Sequence, residues 1–340
     1  MTPRVRKILV AVAYGSFYWV MVVLFFFWTF PYERLKTRLV HDFNARQTEP
    51  DAMRLEVDSI SSYWLSGVEA EGMRLISPPP PEAVGKAAKP KITTIEQAHA
   101  RLSLFALLAG KRVVSFGAKA FGGNLDGSIT DSDAERVLEV EVEGLDLGQT
   151  PLLAGLIGLP VSGQLSGTAN LITPEARLSK AEGKMSFKLA GLSVGDGKAK
   201  IRDIIALPKL DAGELGLEAE VKSGQMTLSQ LSAHGPDLEL NAQGTIRLRD
   251  QPGQSLLSLQ AEFKFTDHYT NKDDMTKALF GPSGAFDLDP KNRRAKRSDG
   301  FYAWRVSGAL SSPSFMPSGS ALSTKHGAAH GPKAGAAAPE

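Results

Sequence analysis

The sequence predicts a mainly β protein, in which one N-terminal transmembrane helix is followed by a long, curled antiparallel sheet with a few short helices. Three observations predict this fold class. Residues 8–30 carry no charged side chain, and about 20 apolar residues let a helix cross the roughly 30 Å core of a bilayer. Alternation of apolar and polar residues, which is typical of half-buried strands, recurs between residues 51 and 311. Glycines separate the alternating segments.

The uncharged run from Ile8 to Phe30 is interpreted as an uncleaved membrane anchor. Its apolar part is longer than the core of about 7–15 residues in a cleaved signal peptide, and no small-residue cleavage site follows it. Rings such as Trp19 can lie at the membrane interface, whereas Phe26 belongs to the apolar stretch. The anchor is therefore represented by Ile8, Trp19, Phe26 and Phe30.

The orientation of this anchor is not decided by charge alone, because three basic residues precede it and four follow closely. A short basic tail ahead of a long domain usually stays in the cytoplasm, so residues 1–7 are placed there and residues 31–340 outside the inner membrane. Residues 31–317 are then a periplasmic β-rich domain that contains a Pro-rich loop at 77–91. Residues 318–340 form a Gly/Ala-rich tail with little to bury, and we expect it to be disordered.

Strands are predicted wherever the alternation is strict. The clearest segments are 138–143, 184–189, 238–249, 257–265 and 302–310, and weaker ones are 54–60, 214–222 and 225–231. A Gly-x-x-x-Gly signature occurs at 123–127 and 163–167, and a degraded copy begins at Gly308. Its spacing is irregular, so it indicates successive antiparallel strands rather than a solenoid with a fixed repeat.

Three segments suggest short helices. Residues 94–108 contain one helix candidate, although residues 101–104 could equally be a strand that leads to a single turn at 105–110. Leu152–Leu159 follows Pro151, which suits a first helical turn, and its apolar face is expected to plug one end of the sheet. Asp274–Phe280 is the third candidate.

The residues that carry chemistry are scarce, so no catalytic, metal or cofactor site is predicted and an enzyme is disfavoured. The chain has no cysteine, and no HExxH, GxSxG, Walker or GxGxxG pattern occurs in a supporting context. His326 and His330 are four apart, but their Gly/Ala surroundings favour a floppy tail over a metal pair. The net charge of +2 leaves about −1 for the part after the anchor, which argues against nucleic acid as a partner.

A basic run at 291–297 leaves two interpretations open. It is a solvated loop, which we favour, or it contacts anionic lipid headgroups, where each Lys or Arg contributes about 1 kcal/mol.

Several segments, taken in order, resemble the type II secretion system protein N family (GspN). The first is Thr29–Lys36, directly after the anchor, and the second is Gly158–Leu171. Leu207–Leu215 is then followed by Ala233–Leu240, and Trp304–Phe315 matches the family's ending. The motif residues that carry the resemblance are Phe30, Pro31, Tyr32, Gly163, Leu165, Gly167 and Gly308.

This resemblance implies an accessory, non-catalytic subunit anchored in the inner membrane, in a machine that exports folded proteins from the periplasm. It also implies an AsmA-like half-barrel, other type II secretion components as partners, and contact with membrane lipid. The alternative is a lipid-handling or lipid-bridging protein that holds phospholipid in an apolar groove, and a β-scaffold of another envelope system is a third. A structural sheet should have its apolar face covered, by 105–108 and 152–159 among others, whereas a lipid trough should leave that face open.

Overall fold

The chain folds into two consecutive helices followed by a long meander of strands. The computed structural model describes residues 3–46, 53–64, 66–77, 91–150, 160–195, 200–201, 205–206, 208–282 and 284–319. Helix α1 spans Pro3–Thr29 and α2 spans Tyr32–Arg46. Pro31 lies between them, where its missing N–H and fixed φ interrupt the helical backbone.

The strands follow in chain order, with short helices between some of them. The strands are β1 Arg54–Glu56, β2 Ser59–Tyr63, β3 Gly67–Ser77, β4 Lys91–Leu102, β5 Arg112–Ala120, β6 Gly123–Asp131, β7 Glu135–Asp146, β8 Val161–Pro174, β9 Glu182–Val194, β10 Lys200–Ile201, β11 Ile205–Ala206, β12 Leu210–Lys222, β13 Gln225–His234, β14 Leu238–Arg247, β15 Leu256–Phe265, β16 Tyr302–Ala309 and β17 Ser312–Pro317. The further α-helices are α3 Leu104–Leu108, α4 Asp267–Thr270, α5 Asp274–Phe280 and α6 Pro290–Ala295, and 3-10 turns cover Leu147–Gln149, Leu178–Lys180, Pro252–Gln254 and Ala285–Leu288.

Within the described residues, fifteen strands form one antiparallel sheet, as the alternation predicted. From β3 to β17 each strand pairs with the next one along the chain, except that the β10–β11 hairpin is an excursion between β9 and β12. Strands β1 and β2 both pair with β3 at one edge, and β17 ends the other edge. The sheet is therefore open rather than closed into a barrel.

The register collects the apolar residues of these strands on one face, which we call the apolar face. Side chains alternate between the two faces of a sheet, so residues paired across strands share a face. A first row crosses thirteen strands: Val68, Ala100, Phe116, Gly127, Val140, Ala169, Met185, Ala219, Leu228, Gly244, Leu259, Val306 and Phe315. A parallel second row runs from Ile60 through Ala70, Ala98, Ala118, Leu125, Val142, Gly167, Phe187, Leu217, Leu231, Ala242, Ala261 and Trp304.

The opposite face is polar, because most residues between these rows are charged or carry a hydroxyl group. One such row reads Glu69, His99, Gly117, Asp126, Glu141, Thr168, Ser186 and Glu218. The two faces of the sheet therefore differ in chemistry along its whole length.

The predicted short helices meet different outcomes. Strand β4 runs to Leu102 and only a five-residue helix follows, capped by Ser103, so the helix predicted as one alternative for 94–108 is wrong. Threonine and isoleucine in 92–95 explain this, since β-branched residues favour strands. The helix at Asp274–Phe280 is confirmed, with a capping box between Asp273 and Thr276. The predicted helix at 152–159 lies outside the described residues.

The basic run at 291–297 is not a loop throughout, because Pro290–Ala295 is helical and Asp289 caps it. Helix α2 was not predicted at all. Residues 78–90 and 320–340, which hold most of the predicted Pro-rich loop and tail, lie outside the described residues.

The predicted transmembrane helix at 8–30 is helical, as the body of α1. Among the residues that the structure describes, however, no helix combines the length and the apolar character needed to cross a membrane. The single-pass anchor therefore gains no support from the structure and stays a prediction.

Candidate functional site

The apolar face is the most extended chemical feature of the described chain. Its first and second rows contain no charged residue from β3 to β16. Val142 and Leu228 on this face are buried, but Phe116, Val140 and Met185 are only half-buried. In a sandwich, a second layer would pack on such a face about 10 Å away and bury it. The half-buried side chains therefore indicate that the middle of this face remains accessible.

The helices do not cover the middle of the face. Phe105 and Leu108 of α3, which were expected to cover it, are 87% and 86% exposed. The expectation for 105–108 is therefore wrong, because this helix points its apolar side chains outward. The other expected cover, 152–159, lies outside the described residues.

One end of the face is covered by an aromatic cluster that joins β15 and β16 to α4, α5 and the turn at 285–288. Ring centroids lie 4.4 Å apart for Phe265 and Phe280 and 5.4 Å apart for Phe263 and Tyr302. The Tyr302 hydroxyl donates to Asp287 Oδ1 at 2.6 Å, and Lys296 Nζ lies 2.5 Å from Oδ2 of the same carboxylate. Burial raises the pKa of Tyr302, and its hydrogen bond to Asp287 raises that pKa further. This cluster closes the apolar face at the C-terminal end.

Two residues of the basic run at 291–297 form ion pairs at the same end of the sheet. Lys296 is paired with Asp287, and Arg297 lies 2.6 Å from Glu262 Oε2 and contacts Asp299 as well. These two residues of the run therefore hold the helical cover on the sheet, whereas Lys291, Arg293 and Arg294 are exposed.

The edge at β17 is shielded against the addition of another strand. The Ser318 N–H donates to the Ala303 carbonyl at 2.8 Å, which fixes which N–H groups face β16. Because directions alternate along a strand, residues 313, 315 and 317 direct their amides outward. Two of these three are prolines and have no N–H, so Phe315 is the single outward donor of β17.

At the opposite edge, strand β1 is shielded by a side chain of α2. The Leu55 N–H of β1 donates to Asn44 Oδ1 at 2.8 Å, and Asn44 Nδ2 donates to the Leu55 carbonyl at 3.2 Å. The Asn44 amide thus occupies the positions that an incoming strand would use. Natural sheets commonly protect their edges by such devices.

A buried carboxylate joins β12, β13–β14 and α4. The side chain of Asp237 is 1% exposed. Its Oδ2 accepts from the Asp211 N–H at 2.8 Å and from Lys272 Nζ at 3.0 Å, while Oδ1 lies 2.7 Å from His268 Nδ1. The Asp237 N–H in turn donates to the Asp211 carbonyl at 3.0 Å.

The charge of Asp237 is favoured by these contacts. Burial alone raises the pKa of a carboxyl group, but the Asp211 amide, Lys272 and His268 outweigh it, so the pKa of Asp237 lies below its usual value. Nearby, burial raises the pKa of Tyr269 to about 12, and its hydroxyl donates to the Pro208 carbonyl at 2.9 Å. Each of these hydrogen bonds connects two segments of the fold, so we interpret Asp237 as a structural residue that joins them.

The predicted motif residues lie in three places. Phe30 and Tyr32 flank Pro31 at the α1–α2 junction, with their rings 4.9 Å apart. Gly163 and Leu165 lie on β8, where Leu165 packs against the buried cluster around Leu189 and Leu192. Gly308 lies on β16 with φ of +99°, a left-handed conformation that favours glycine.

Gly167 shows why its signature needs glycine. A Cβ at this position would lie 2.3 Å from the Ser186 carbonyl oxygen and 2.6 Å from Cδ1 of Phe187, so both the neighbouring backbone and the ring exclude a side chain here. In the earlier copy of the signature, Gly127 lies under Phe116 in the same way, with 2.5 Å to Cζ. The second glycine of each copy therefore lets an aromatic ring of the neighbouring strand lie flat on the apolar face.

The structure describes only some of the predicted anchor residues and neither of the two tail histidines. Trp19 is exposed on α1, and Phe30 is half-buried. The side chains of Ile8 and Phe26, and His326 and His330 entirely, lie outside the described residues. In the part of the chain that the structure describes, no group of three His, Asp or Glu side chains is placed to hold a metal ion.

Comparison of the chain with protein-family models, with curated proteins and with solved structures finds no match. The resemblance of the motif segments to the GspN family therefore stays a prediction.

Sequence reasoning missed Asp237, Asn44 and the two edge prolines as structural elements. The only available signal was the His-Gly-Pro-Asp string at 234–237.

Proposed function

We propose that this chain is an accessory, non-catalytic subunit of a type II secretion system. Its N-terminal helix tethers it to the bacterial inner membrane, and its sheet lies in the periplasm. The observation that carries the proposal is that two family-like segments, 207–215 and 233–240, meet through the paired backbones and side chains of Asp211 and Asp237.

The proposed tether rests on α1. Its exposed side chains include six in succession, from Phe17 to Val22. Six consecutive residues cover every direction around a helix, because 3.6 residues make one turn. A helix that presents apolar side chains all round favours apolar surroundings.

The secretory role is tested by deleting the gene and measuring the distribution of exported proteins. We expect folded cargo to accumulate in the periplasm and secretion to return when the wild-type chain is supplied. Supply of Val12→Arg/Val20→Arg should fail to restore it and should lose the membrane fraction, because an arginine at the centre of a spanning helix, where Val20 lies, costs about 3 kcal/mol and the second arginine adds to that cost. Unchanged secretion in the deletion strain would contradict the proposal.

The second candidate function is binding of phospholipid acyl chains along the apolar face, as in a lipid-handling or lipid-bridging protein. The accessible middle of that face favours it, since monomers rarely expose contiguous apolar patches above a few hundred Å². Thirteen strands spaced about 4.8 Å apart make the face roughly 60 Å long, which exceeds the roughly 30 Å of a bilayer core. Such a strip suits a chain of lipids better than one small ligand.

Native mass spectrometry of the detergent-solubilised chain tests this candidate. We expect co-purifying phospholipid, and we expect Val140→Glu on the apolar face to reduce it. The matched control is Glu141→Val, which adds apolar surface at the adjacent residue but on the polar face and should leave lipid binding intact. Equal lipid content in both variants would contradict binding on the apolar face.

A further inference from the structure

Two neighbouring turns at one end of the sheet expose large apolar side chains. In the β2–β3 turn Trp64 is 71% exposed, and in α3, between β4 and β5, Phe105 and Leu108 are 87% and 86% exposed. Leu104 and Leu107 of the same helix are exposed as well. We call these five side chains the apolar tip. Single exposed apolar residues are ordinary on a protein surface, but a contiguous group marks a site of interaction.

Hydrogen bonds hold the two turns together. The Leu102 N–H donates to the Ser66 carbonyl at 3.2 Å, and the Ser66 hydroxyl donates to the Leu102 carbonyl. Trp64 lies two residues before Ser66, and Phe105 lies three residues after Leu102. The apolar side chains of both turns therefore share one small part of the surface.

The backbone fixes the apolar tip in this exposed position. The Ala106 N–H donates to Ser103 Oγ at the start of α3, and the Lys111 N–H donates to the Ala106 carbonyl at 2.9 Å at its end. A helix this short is marginal without packing, yet it buries none of its residues. Trp64 has φ of +51°, in the left-handed region that a bulky residue rarely adopts. Such a conformation is typically kept where the side chain has a function.

The charged residues next to the apolar tip are basic. Residues 97–125 contain four Lys or Arg residues and no Asp or Glu. Arg101 and Lys111 flank α3, are exposed and form no ion pair among the described residues, whereas Arg112 lies 3.4 Å from Asp131. Aromatic and leucine side chains with Lys and Arg beside them are typical of segments that lie in the interface of an anionic membrane.

The apolar tip lies at the same end of the sheet as the junction between α1 and α2. Helix α2 runs antiparallel to the first strands, because Asn44 near its C-terminus is hydrogen-bonded to Leu55 of β1. Tyr32 at its N-terminus lines a groove together with Ser62 of β2. Trp64 follows Ser62 by two residues, so the C-terminal end of the proposed tether lies at the end of the sheet that carries the apolar tip.

We propose that the apolar tip enters the interface of the anionic membrane to which α1 tethers the chain, with Arg101 and Lys111 at the lipid phosphates. A protein partner matches the apolar tip less well, because each side of a stable interface contributes about 20–30 residues and roughly 800 Å². The inference rests on the proposed tether. It adds a second membrane contact, which fixes the direction of the strands relative to the membrane surface.

A fluorescent label tests the insertion of the apolar tip. The chain has no cysteine, so Ala109→Cys, directly after α3, takes a single nitrobenzoxadiazole label. The full-length chain is placed in vesicles of phosphatidylethanolamine and phosphatidylglycerol. We expect the emission to shift to shorter wavelength and to be quenched by phospholipids that carry a nitroxide. The matched control is Ala134→Cys, an exposed alanine between Asp133 and Glu135 in the β6–β7 turn at the same end, whose label should stay in water.

Further variants assign the insertion to particular side chains. Phe105→Ser/Leu108→Ser should lower the ratio of inserted to free Ala109→Cys label about tenfold, because it removes two apolar side chains from the membrane. Leu288→Ser replaces another leucine of high exposure, in the turn at 285–288, and should leave the ratio unchanged. Arg101→Glu/Lys111→Glu should lower the ratio in vesicles that contain phosphatidylglycerol and leave it unchanged in pure phosphatidylcholine.

The outcomes separate this inference from the proposed tether. A chain that does not float with the vesicles would overturn the tether and this inference with it. A chain that floats while its Ala109→Cys label stays in water would overturn the inference alone. So would equal quenching of the Ala134→Cys label, or quenching that persists in Phe105→Ser/Leu108→Ser. A wavelength shift that grows with the protein-to-lipid ratio, without quenching by nitroxide lipid, would mean that a second copy covers the apolar tip and would also overturn the inference.

Discussion

Replacing Asp237 by alanine should destabilise the sheet at the joint between β12, β14 and α4. The substitution leaves the Asp211 N–H without its acceptor, and that group is only partly accessible to water. A hydrogen bond to a charged group contributes about 1.5–3 kcal/mol. Lys272 and His268 are 36% and 68% exposed, so water can solvate them when Asp237 is replaced. We therefore count little of their contribution to the free energy of unfolding. We therefore expect a loss of about 3 kcal/mol in the free energy of unfolding.

Thermal unfolding followed by far-ultraviolet circular dichroism measures this loss. For a domain of this size, about 3 kcal/mol corresponds to a decrease in Tm of roughly 6–12 °C. Asp237→Asn is the matched control, because its side-chain oxygen can still accept from the Asp211 N–H while the charge is lost. It should lie between the wild type and Asp237→Ala. Equal Tm values for all three proteins would refute the reasoning that this carboxylate holds the joint.

The same carboxylate predicts a pH dependence. The pKa of Asp237 is lower in the folded chain than in the unfolded chain. Its stabilisation is therefore complete above the unfolded value of about 3.9 and is lost as the pH falls below it. The difference in Tm between the wild type and Asp237→Asn should be constant near neutral pH and shrink below about pH 4. A difference that instead grows on acidification would have the wrong sign.

Three further substitutions test the edges and the apolar face. Asn44→Ala should lower the free energy of unfolding by about 2 kcal/mol, because it removes two hydrogen bonds from an edge strand, and chemical denaturation measures this. Pro313→Thr/Pro317→Thr restores two outward N–H groups on β17 and should promote self-association, seen by analytical ultracentrifugation; a strictly unchanged sedimentation profile would count against the shielding. Gly167→Ala should cost about 1–3 kcal/mol, because the new Cβ would meet the Ser186 carbonyl oxygen and the Phe187 ring, whereas Gly110→Ala, in a turn with open space, should cost mainly its backbone strain.

The sequence predicted the strands well because their information is local. Alternation such as that of 138–143 or 257–265 requires only that one face be apolar, and the structure follows it in β7 and β15. In a meander the pairing of neighbours then follows from short connections. Helix α2 was not predicted, because its basic residues were interpreted only as the flank of the anchor. Leu35, Leu39 and Phe43 recur at helical spacing there and could have indicated it.

The joint at Asp237 could not be predicted in the same way. Its partners come from positions 208–211, 237 and 266–272, and only the register brings them together. A hydrophobic pattern fixes which face a residue occupies but not which distant side chain it meets. The shielding of the edges was hidden for a similar reason. Whether Pro313 removes an outward or an inward N–H depends on the phase of the β16–β17 ladder.

The protected edges bear on the choice between the two proposed functions. Strand addition at an exposed edge is one way in which an open sheet can bind a protein partner. Asn44 on β1 and Pro313 and Pro317 on β17 leave few backbone groups for it on those two strands. Association at these places then uses a face, and the apolar face is the one that water solvates poorly. A protein partner on that face would need an apolar surface of comparable length. Acyl chains are apolar themselves and need no such complementary surface. A secretion subunit that uses this sheet would therefore meet its protein partners on the polar face and lipid on the other.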